Sequence, residues 1–283
     1  MLKFRLPSGI FMGLILLGSI FIEGELGRAL FLLLGGFLAF FGVDEYLNML
    51  KKVGLKSYTM IASTISAILL LLAVLKISPI ASLTVLVVAV VAGWFVLIIG
   101  EDKKETVIKI VTSFSALPLL VFPLYFLALI YGNEFGGTSG RIYLFFMLLV
   151  TKLGDVGAYT VGTISSKVMP GGNHKILPKI SPKKSWEGTL GGMVISVIAS
   201  IVFCRYVPDM VPEGLGKILF PVIAGILLFV GGFIGDLTES SLKRAVGVKD
   251  SGNIIPGMGG ALDVIDSLVL NAPLFYLFLA FTI

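Results

Sequence analysis

Long apolar segments recur along this chain and constrain its fold more than any other feature. Runs of about 20 apolar residues follow one another from the first residues to the last, separated by short loops that carry most of the charges. A helix of about 20 residues crosses the hydrocarbon core of a bilayer and satisfies its own backbone hydrogen bonds. The pattern therefore predicts an all-α polytopic membrane protein.

The composition excludes two other classes of protein. Of the 283 residues, 57% are hydrophobic and only 14% are charged, whereas soluble domains carry about 25% charged residues. The net charge of +5 does not indicate nucleic-acid binding, because the aromatic residues lie in the apolar runs and not among the lysines. We therefore expect membrane lipid, and no nucleic acid, as a partner.

About nine transmembrane helices are predicted. We place them near residues 8–22, 26–43, 58–75, 80–100, 107–131, 142–164, 187–207, 216–238 and 261–281. If the N-terminus is cytoplasmic, 16 basic residues, beginning with Lys3 and Arg5, lie on the cytoplasmic side and five on the other side. Because basic residues accumulate in cytoplasmic loops, we expect a cytoplasmic N-terminus and an external C-terminus.

The two halves of the chain differ in chemistry. Residues 1–135 keep their acids in loops or at the ends of spans, and we interpret this part as a scaffold of helices that gives lipids access. Asp44 and Glu45 follow a span directly and could cap a helix or point into a site, and we favour the structural role. Residues 136–283 place ionisable groups within spans, so we expect a catalytic site there that faces the cytoplasm. Lys152 and Asp155 share one helical face, which fits either a structural ion pair or a functional site.

A basic loop leads into the seventh predicted span with the sequence SPKKSWEG. Ser185 is expected to cap the helix that follows, and Trp186 to anchor it at the interface. Lys183 and Lys184 would then lie near a helix N-terminus, where backbone N–H groups favour an anion. The alternative is a positive-inside loop that binds only lipid headgroups.

Carboxylates occur in two pairs in the last two spans. Asp236 and Glu239 are three residues apart, as are Asp263 and Asp266, so each pair can face one point. A charge at the bilayer centre costs about 2.5–3.5 kcal/mol on insertion scales, so water or cations must compensate these acids. Oxygen ligands favour hard cations such as Mg²⁺. We predict that Asp236, Asp263 and Asp266 bind such a cation.

Cations and glycines lie between the two acidic pairs. Lys243 and Arg244 follow the first pair, and the turn PGMGG precedes the second. Glycine allows the backbone to approach a phosphate closely. The glycines concerned are Gly257, Gly259 and Gly260. Acids, cations and glycines together indicate metal-assisted phosphoryl or nucleotidyl transfer.

The same segment resembles the signature of the phosphatidate cytidylyltransferases, also called CDP-diacylglycerol synthases. The matching positions are Ser240 or Ser241, Lys243, Arg244, Lys249, Asp250, Pro256, Gly257, Gly259, Gly260, Asp263 and Asp266. GDLTES, SPKKSWEG and the Asp155–Tyr159 pattern also resemble family features, so the similarity covers about residues 150–270. Met258 and Val264 stand where the family usually has histidine and arginine, and Met258 cannot act as an acid or a base.

The resemblance implies transfer of CMP from CTP to phosphatidate, giving CDP-diacylglycerol and pyrophosphate for phospholipid biosynthesis. It implies one or two metal ions, Mg²⁺ among them, on Asp236, Asp263 and Asp266, with Asp155 as a weaker candidate. Lys243 and Arg244 are expected to act in catalysis. The expected substrate-binding residues are Ser181, Lys183, Lys184, Lys249, Asp250, Gly257, Gly259 and Gly260. The resemblance also implies a homodimer, with contacts in residues 1–135, in a bacterial inner membrane.

Two alternatives remain open from the sequence. One is another membrane lipid transferase, such as a polyprenol kinase or a different CTP-dependent enzyme. The other is a cation-coupled transporter in which the aspartates bind ions and the glycines break helices. The transporter hypothesis does not explain the lysines that lie beside the acids.

Overall fold

The computed structural model describes residues 2–212 and 216–283, and of residues 2–6 it describes only the backbone. The described helices are α1 (Leu2–Phe21), α2 (Gly24–Lys52), α3 (Thr59–Val74), α4 (Pro79–Ile99), α5 (Lys103–Phe114), α6 (Phe122–Gly132), α7 (Gly140–Val168), α8 (Trp186–Tyr206), α9 (Gly216–Ala245) and α10 (Ala261–Thr282). Two short antiparallel hairpins pair β1 (Glu134–Phe135) with β2 (Thr138–Ser139) and β3 (Lys175–Leu177) with β4 (Ser181–Ser185).

The prediction of an all-α polytopic membrane protein is confirmed. Within the described residues, seven helical segments are long and apolar enough to cross a membrane: Gly24–Lys52, Pro79–Ile99, Lys103–Gly132, Gly140–Val168, Trp186–Tyr206, Gly216–Ala245 and Ala261–Thr282. Two shorter apolar helices, Pro7–Phe21 and Thr59–Val74, overlap the first and third predicted spans. The number of nine spans and the orientation of the termini stay predictions. The side chains of Lys3 and Arg5 lie outside the described residues.

Local sequence signals account for several features of the helices. Ser185 caps α8 as predicted, since its hydroxyl accepts a hydrogen bond from the backbone N–H of Gly188 at 3.2 Å. Asp102 caps α5 by accepting from the N–H of Glu105 at 3.0 Å. A π-helical turn at Leu117–Val121, which contains Pro118, interrupts the fifth predicted span. Proline removes a helical hydrogen bond, which explains the irregularity at this place.

The chain folds into two compact units. The first comprises residues 1–132 and 245–265, and the second comprises residues 133–244 and 266–283. In the second unit, glycines let α7 and α8 pack closely. A Cβ atom at Gly191 would lie 2.5 Å from the side chain of Val161, and one at Gly188 would lie 2.7 Å from the carbonyl oxygen of Ala158. Small residues commonly allow such close approach of helices in membranes.

Buried and partly buried hydrogen bonds join α10 to its neighbours in the second unit. Asn271 of α10 is fully buried, and its Nδ2 donates to Thr151 Oγ1 of α7 and to the carbonyl of Leu228 of α9, both at 2.8 Å. Lys152 Nζ of α7 donates to Ser267 Oγ of α10 at 2.9 Å. Because buried polar groups are costly unless they are bonded, these contacts favour one position of α10 relative to α7 and α9.

Candidate functional site

Three carboxylates converge in the second unit. Asp236 and Glu239 of α9 and Asp266 of α10 each place one oxygen so that the three atoms lie within 4.8 Å of one another. The close approach of the two helices depends on Gly235, where a Cβ atom would lie 2.5 Å from the backbone oxygen of Asp266. Like charges at this separation repel one another strongly unless cations compensate them. We call Asp236, Glu239 and Asp266 the acidic cluster.

Two lysines contact the acidic cluster. Lys184 Nζ lies 2.8 Å from Asp236 Oδ2, and Lys243 Nζ lies 2.6 Å from Glu239 Oε2. Both lysine side chains are largely buried, with 18% and 13% exposed, and Glu239 is only 5% exposed. Lys184 also lies over the ring of Phe233, 4.3 Å from its centroid. Two ammonium groups offset part of the charge of three carboxylates, so the cluster keeps a formal negative charge that attracts a further cation.

The β3–β4 hairpin places Lys184 beside the acidic cluster. Neighbouring residues in a strand point to opposite sides, and Lys183 is exposed whereas Lys184 is partly buried. The side-chain amide of Asn173 ties this hairpin to the end of α7. It donates to the carbonyl of Gly162 at 2.7 Å and lies within bonding distance of the hydroxyl of Ser185, at 3.0 Å. The hairpin therefore has a defined place beside the acids.

Other predicted residues of the second unit lie at the edge of this arrangement. Asp155 Oδ2 lies 3.4 Å from Lys152 Nζ, so the ion pair considered for these two residues is present. Among the described residues, Asp155 is not a member of the acidic cluster. Arg244 Nε donates to the carbonyl of Ile180, at 3.5 Å, in the connection between β3 and β4. Ser181 begins β4.

Asp263 has a different set of contacts, within the first unit. Its Oδ2 accepts hydrogen bonds from the N–H of Gly260 at 2.8 Å, from the N–H of Ser251 at 3.0 Å and from Ser251 Oγ at 2.9 Å. Gly260 immediately precedes α10, and a carboxylate that reaches back to this position caps the helix. The structure therefore gives Asp263 a capping role, and its predicted role as a metal ligand stays a prediction.

The backbone conformation of the turn before α10 favours glycine at two positions. Gly257 and Gly259 adopt positive φ angles of 78° and 102°, which side chains disfavour. A Cβ atom at Gly259 would lie 2.6 Å from Asp263 Oδ2. The predicted contacts of Gly257, Gly259 and Gly260 with a phosphate stay predictions. The same holds for Lys249 and Asp250, which are exposed in the connection between α9 and α10.

Sequence reasoning missed two buried acids. Glu239 belongs to the acidic cluster, although only Asp236 of that pair was predicted as a ligand. Its spacing of three residues from Asp236 was the signal that could have found it. Glu45 was interpreted as structural, which agrees with its contact with Ser251, but neither its burial, with 4% exposed, nor this partner was predicted. No pattern along the sequence pairs α2 with the segment that contains Ser251.

Comparison with known proteins gives one family. The model of the cytidylyltransferase family matches residues 3–282. The chain is 40% identical over 137 residues to the phosphatidate cytidylyltransferase of Staphylococcus haemolyticus and 39% identical over 141 residues to that of Bacillus subtilis. It is 38% identical over 143 residues to the protein YnbB of Escherichia coli K12. These alignments cover 48–50% of this chain and 44–48% of the relatives, so the chain spans about half of their length.

Proposed function

Because the chain belongs to the cytidylyltransferase family, we propose that it transfers CMP from CTP to phosphatidate and releases pyrophosphate. The observation that carries this proposal is the acidic cluster of Asp236, Glu239 and Asp266, flanked by Lys184 and Lys243. Carboxylates beside ammonium groups suit a reaction between two phosphate anions. Relatives named phosphatidate cytidylyltransferase support the choice of substrates.

The donor set of the acidic cluster fits a divalent cation. It offers carboxylate oxygens, which Mg²⁺ prefers over nitrogen or sulfur, and Mg²⁺ is commonly held by one or two carboxylates together with substrate phosphates. We propose that Asp236, Glu239 and Asp266 would hold Mg²⁺. When bound, the ion would neutralise charge on the phosphates. A second cation and a contribution from Asp263 or Asp155 stay predictions.

The side chains of the protein would assist the reaction mainly by charge. A phosphate oxygen of phosphatidate forms a bond to the α-phosphorus of CTP, and the bond from that phosphorus to the bridging oxygen of pyrophosphate breaks. Both reactants are anions, so electrostatic stabilisation dominates such a transfer. We propose that Lys184, Lys243 and Arg244 reduce the repulsion between the phosphates. A carboxylate-rich site without these cations would repel both substrates.

The position of a radiolabel in the product tests this reaction type. We expect label from the α-phosphate of CTP to enter a lipid product in the presence of phosphatidate and Mg²⁺, and label from the γ-phosphate to appear only in pyrophosphate. A polyprenol kinase would instead place the γ-label in lipid, and a transporter would give no labelled lipid. A reaction without phosphatidate serves as the control, and lipid labelled from the γ-phosphate would refute nucleotidyl transfer.

The protein is integral to the membrane, and we further propose that its site faces the cytoplasm of a bacterial inner membrane. The excess of basic residues in alternate loops supports this orientation. CTP would enter from the aqueous side, and phosphatidate would reach the site laterally from the bilayer. A homodimer with contacts in residues 1–135 is proposed on the family resemblance.

A further inference from the structure

A buried carboxylate from the N-terminal half contacts residues 251–262, which we call the signature segment. Glu45 of α2 is 4% exposed. Its Oε2 accepts hydrogen bonds from the N–H of Leu262 at 3.0 Å and from Ser251 Oγ at 2.9 Å. Leu262 lies in the first turn of α10, where backbone N–H groups have no partner within the helix. Glu45 therefore caps a helix that lies more than 200 residues further along the chain.

The segment from Ser251 to Leu262 packs closely against the carboxylate of Glu45. A Cβ atom at Gly252 would collide with Glu45 Oε1, and one at Gly260 would collide with Glu45 Oε2. A side chain at either glycine would displace the Glu45 carboxylate from its observed position. Within the described part of the chain, Glu45 Oε1 is buried without a hydrogen-bond partner, and burial of such a group costs free energy.

Ser251 connects Glu45 to Asp263. Its Oγ lies 2.9 Å from Glu45 Oε2 and 2.9 Å from Asp263 Oδ2. A hydroxyl group has one hydrogen to donate, so the two carboxylates share the single hydrogen of Ser251 or receive it in turn. The backbone N–H of Ser251 also donates to Asp263. Ser251 supplies two of the donors described for Asp263 Oδ2, so fixing Ser251 orients Asp263, and Glu45 contacts Ser251 directly.

We propose that Glu45 is a positioning residue for the signature segment. It holds residues 251–262 in one conformation and, through Ser251, sets the orientation of Asp263. The consequence for turnover rests on the proposed function, because it assumes that the segment serves nucleotidyl transfer. The consequence for the backbone of the segment does not depend on that assumption. A buried acid with only a packing role would influence neither Asp263 nor turnover through Ser251.

The test compares Glu45→Ala, Glu45→Gln, Ser251→Ala and the double variant Glu45→Ala/Ser251→Ala in the full-length protein. Hydrogen exchange of residues 251–262 should accelerate about tenfold in Glu45→Ala, because bonds to a charged acceptor are lost. Glu45→Gln keeps an acceptor oxygen and should remain close to the wild type. Glu25→Ala is the matched control, because Glu25 lies on the same helix with 84% of its side chain exposed.

Turnover supplies the second measurement. Glu45→Ala should lower kcat for CDP-diacylglycerol formation about 10- to 100-fold, as loss of outer supporting groups commonly does, with a smaller change in KM for CTP. Glu45→Gln should recover part of that loss. If Glu45 acts through Ser251, the substitution Glu45→Ala should lower kcat much less in the Ser251→Ala variant than in the wild type. Independent, multiplying effects of the two substitutions would overturn the proposal.

Failure of this proposal is distinguishable from failure of the proposed function. If the wild type makes no CDP-diacylglycerol, the proposed function fails and hydrogen exchange alone decides the role of Glu45. Unchanged exchange of residues 251–262 in Glu45→Ala would overturn the positioning role, whatever the activity. If Glu45→Ala does not fold, hydrogen exchange of residues 251–262 is measured in Ser251→Ala instead. Unchanged exchange in that variant would also overturn the positioning role.

Discussion

Asp236→Asn and Asp266→Asn should each lower the rate of CDP-diacylglycerol formation at least about a thousandfold, which corresponds to about 4 kcal/mol of transition-state stabilisation. Each substitution removes one negative charge from the acidic cluster and leaves the size of the side chain nearly unchanged. The close packing of α9 on α10 at Gly235 should persist. A neutral amide is a poor ligand for Mg²⁺, so the loss should appear mainly in the rate of the chemical step.

Transfer of label from the α-phosphate of CTP to lipid measures this effect, and thermal unfolding in detergent verifies that the variants are folded. Asp209→Asn is the matched control, since Asp209 lies in the same unit but is exposed in the short helical turn Pro208–Met210. Glu239→Gln is less informative, because Glu239 is only 5% exposed, against 38% for Asp236, and its substitution disturbs a more deeply buried ion pair. Asp236→Asn with more than a tenth of the wild-type rate would contradict the assigned role.

Lys184→Met should lower kcat/KM for CTP about a hundredfold, or by about 2.7 kcal/mol. The substitution removes the ammonium group that lies 2.8 Å from Asp236 and keeps the apolar part that lies over Phe233. Without this charge, the acidic cluster repels the triphosphate more strongly, and the repulsion between the two substrates is less well compensated.

Two further variants separate a local role of Lys184 from general surface charge. Lys184→Arg keeps the charge and should retain more activity than Lys184→Met. Lys179→Met removes an exposed charge from the same hairpin region and should change kcat/KM less than twofold, because exposed charges are screened by salt. Equal losses in Lys179→Met and Lys184→Met would show that only the overall charge of the loop matters.

The sequence predicted the parts of this protein that depend on local patterns. Apolar runs of about 20 residues located the helices, and Ser185 was correctly predicted to cap α8. Asp236 and Asp266 were expected to lie near one point, and they share the acidic cluster. For the helices and the cap, the signal lies in residues close in sequence, whereas Asp236 and Asp266 were associated by the chemistry of acids within spans.

The contacts that were missed join residues far apart in the chain. Glu45 contacts Ser251, 206 positions later, and no periodicity in one sequence reveals which helix packs against which loop. Asp263 was grouped with Asp266 because both can face one point, yet its Oδ2 accepts hydrogen bonds from the backbone N–H groups of Ser251 and Gly260, before α10. Whether Asp263 contacts that turn depends on the backbone conformation of the turn, which the residue spacing does not describe.

Removal of divalent cations tests the proposed role of Asp236, Glu239 and Asp266 most directly. Purified protein is treated with a chelator, and transfer of α-phosphate label from CTP to phosphatidate is measured before and after excess Mg²⁺ is added. We expect no labelled lipid above background in the chelated sample and full recovery of the rate with Mg²⁺. Undiminished formation of labelled CDP-diacylglycerol in the presence of the chelator would contradict a metal-dependent transfer at the acidic cluster.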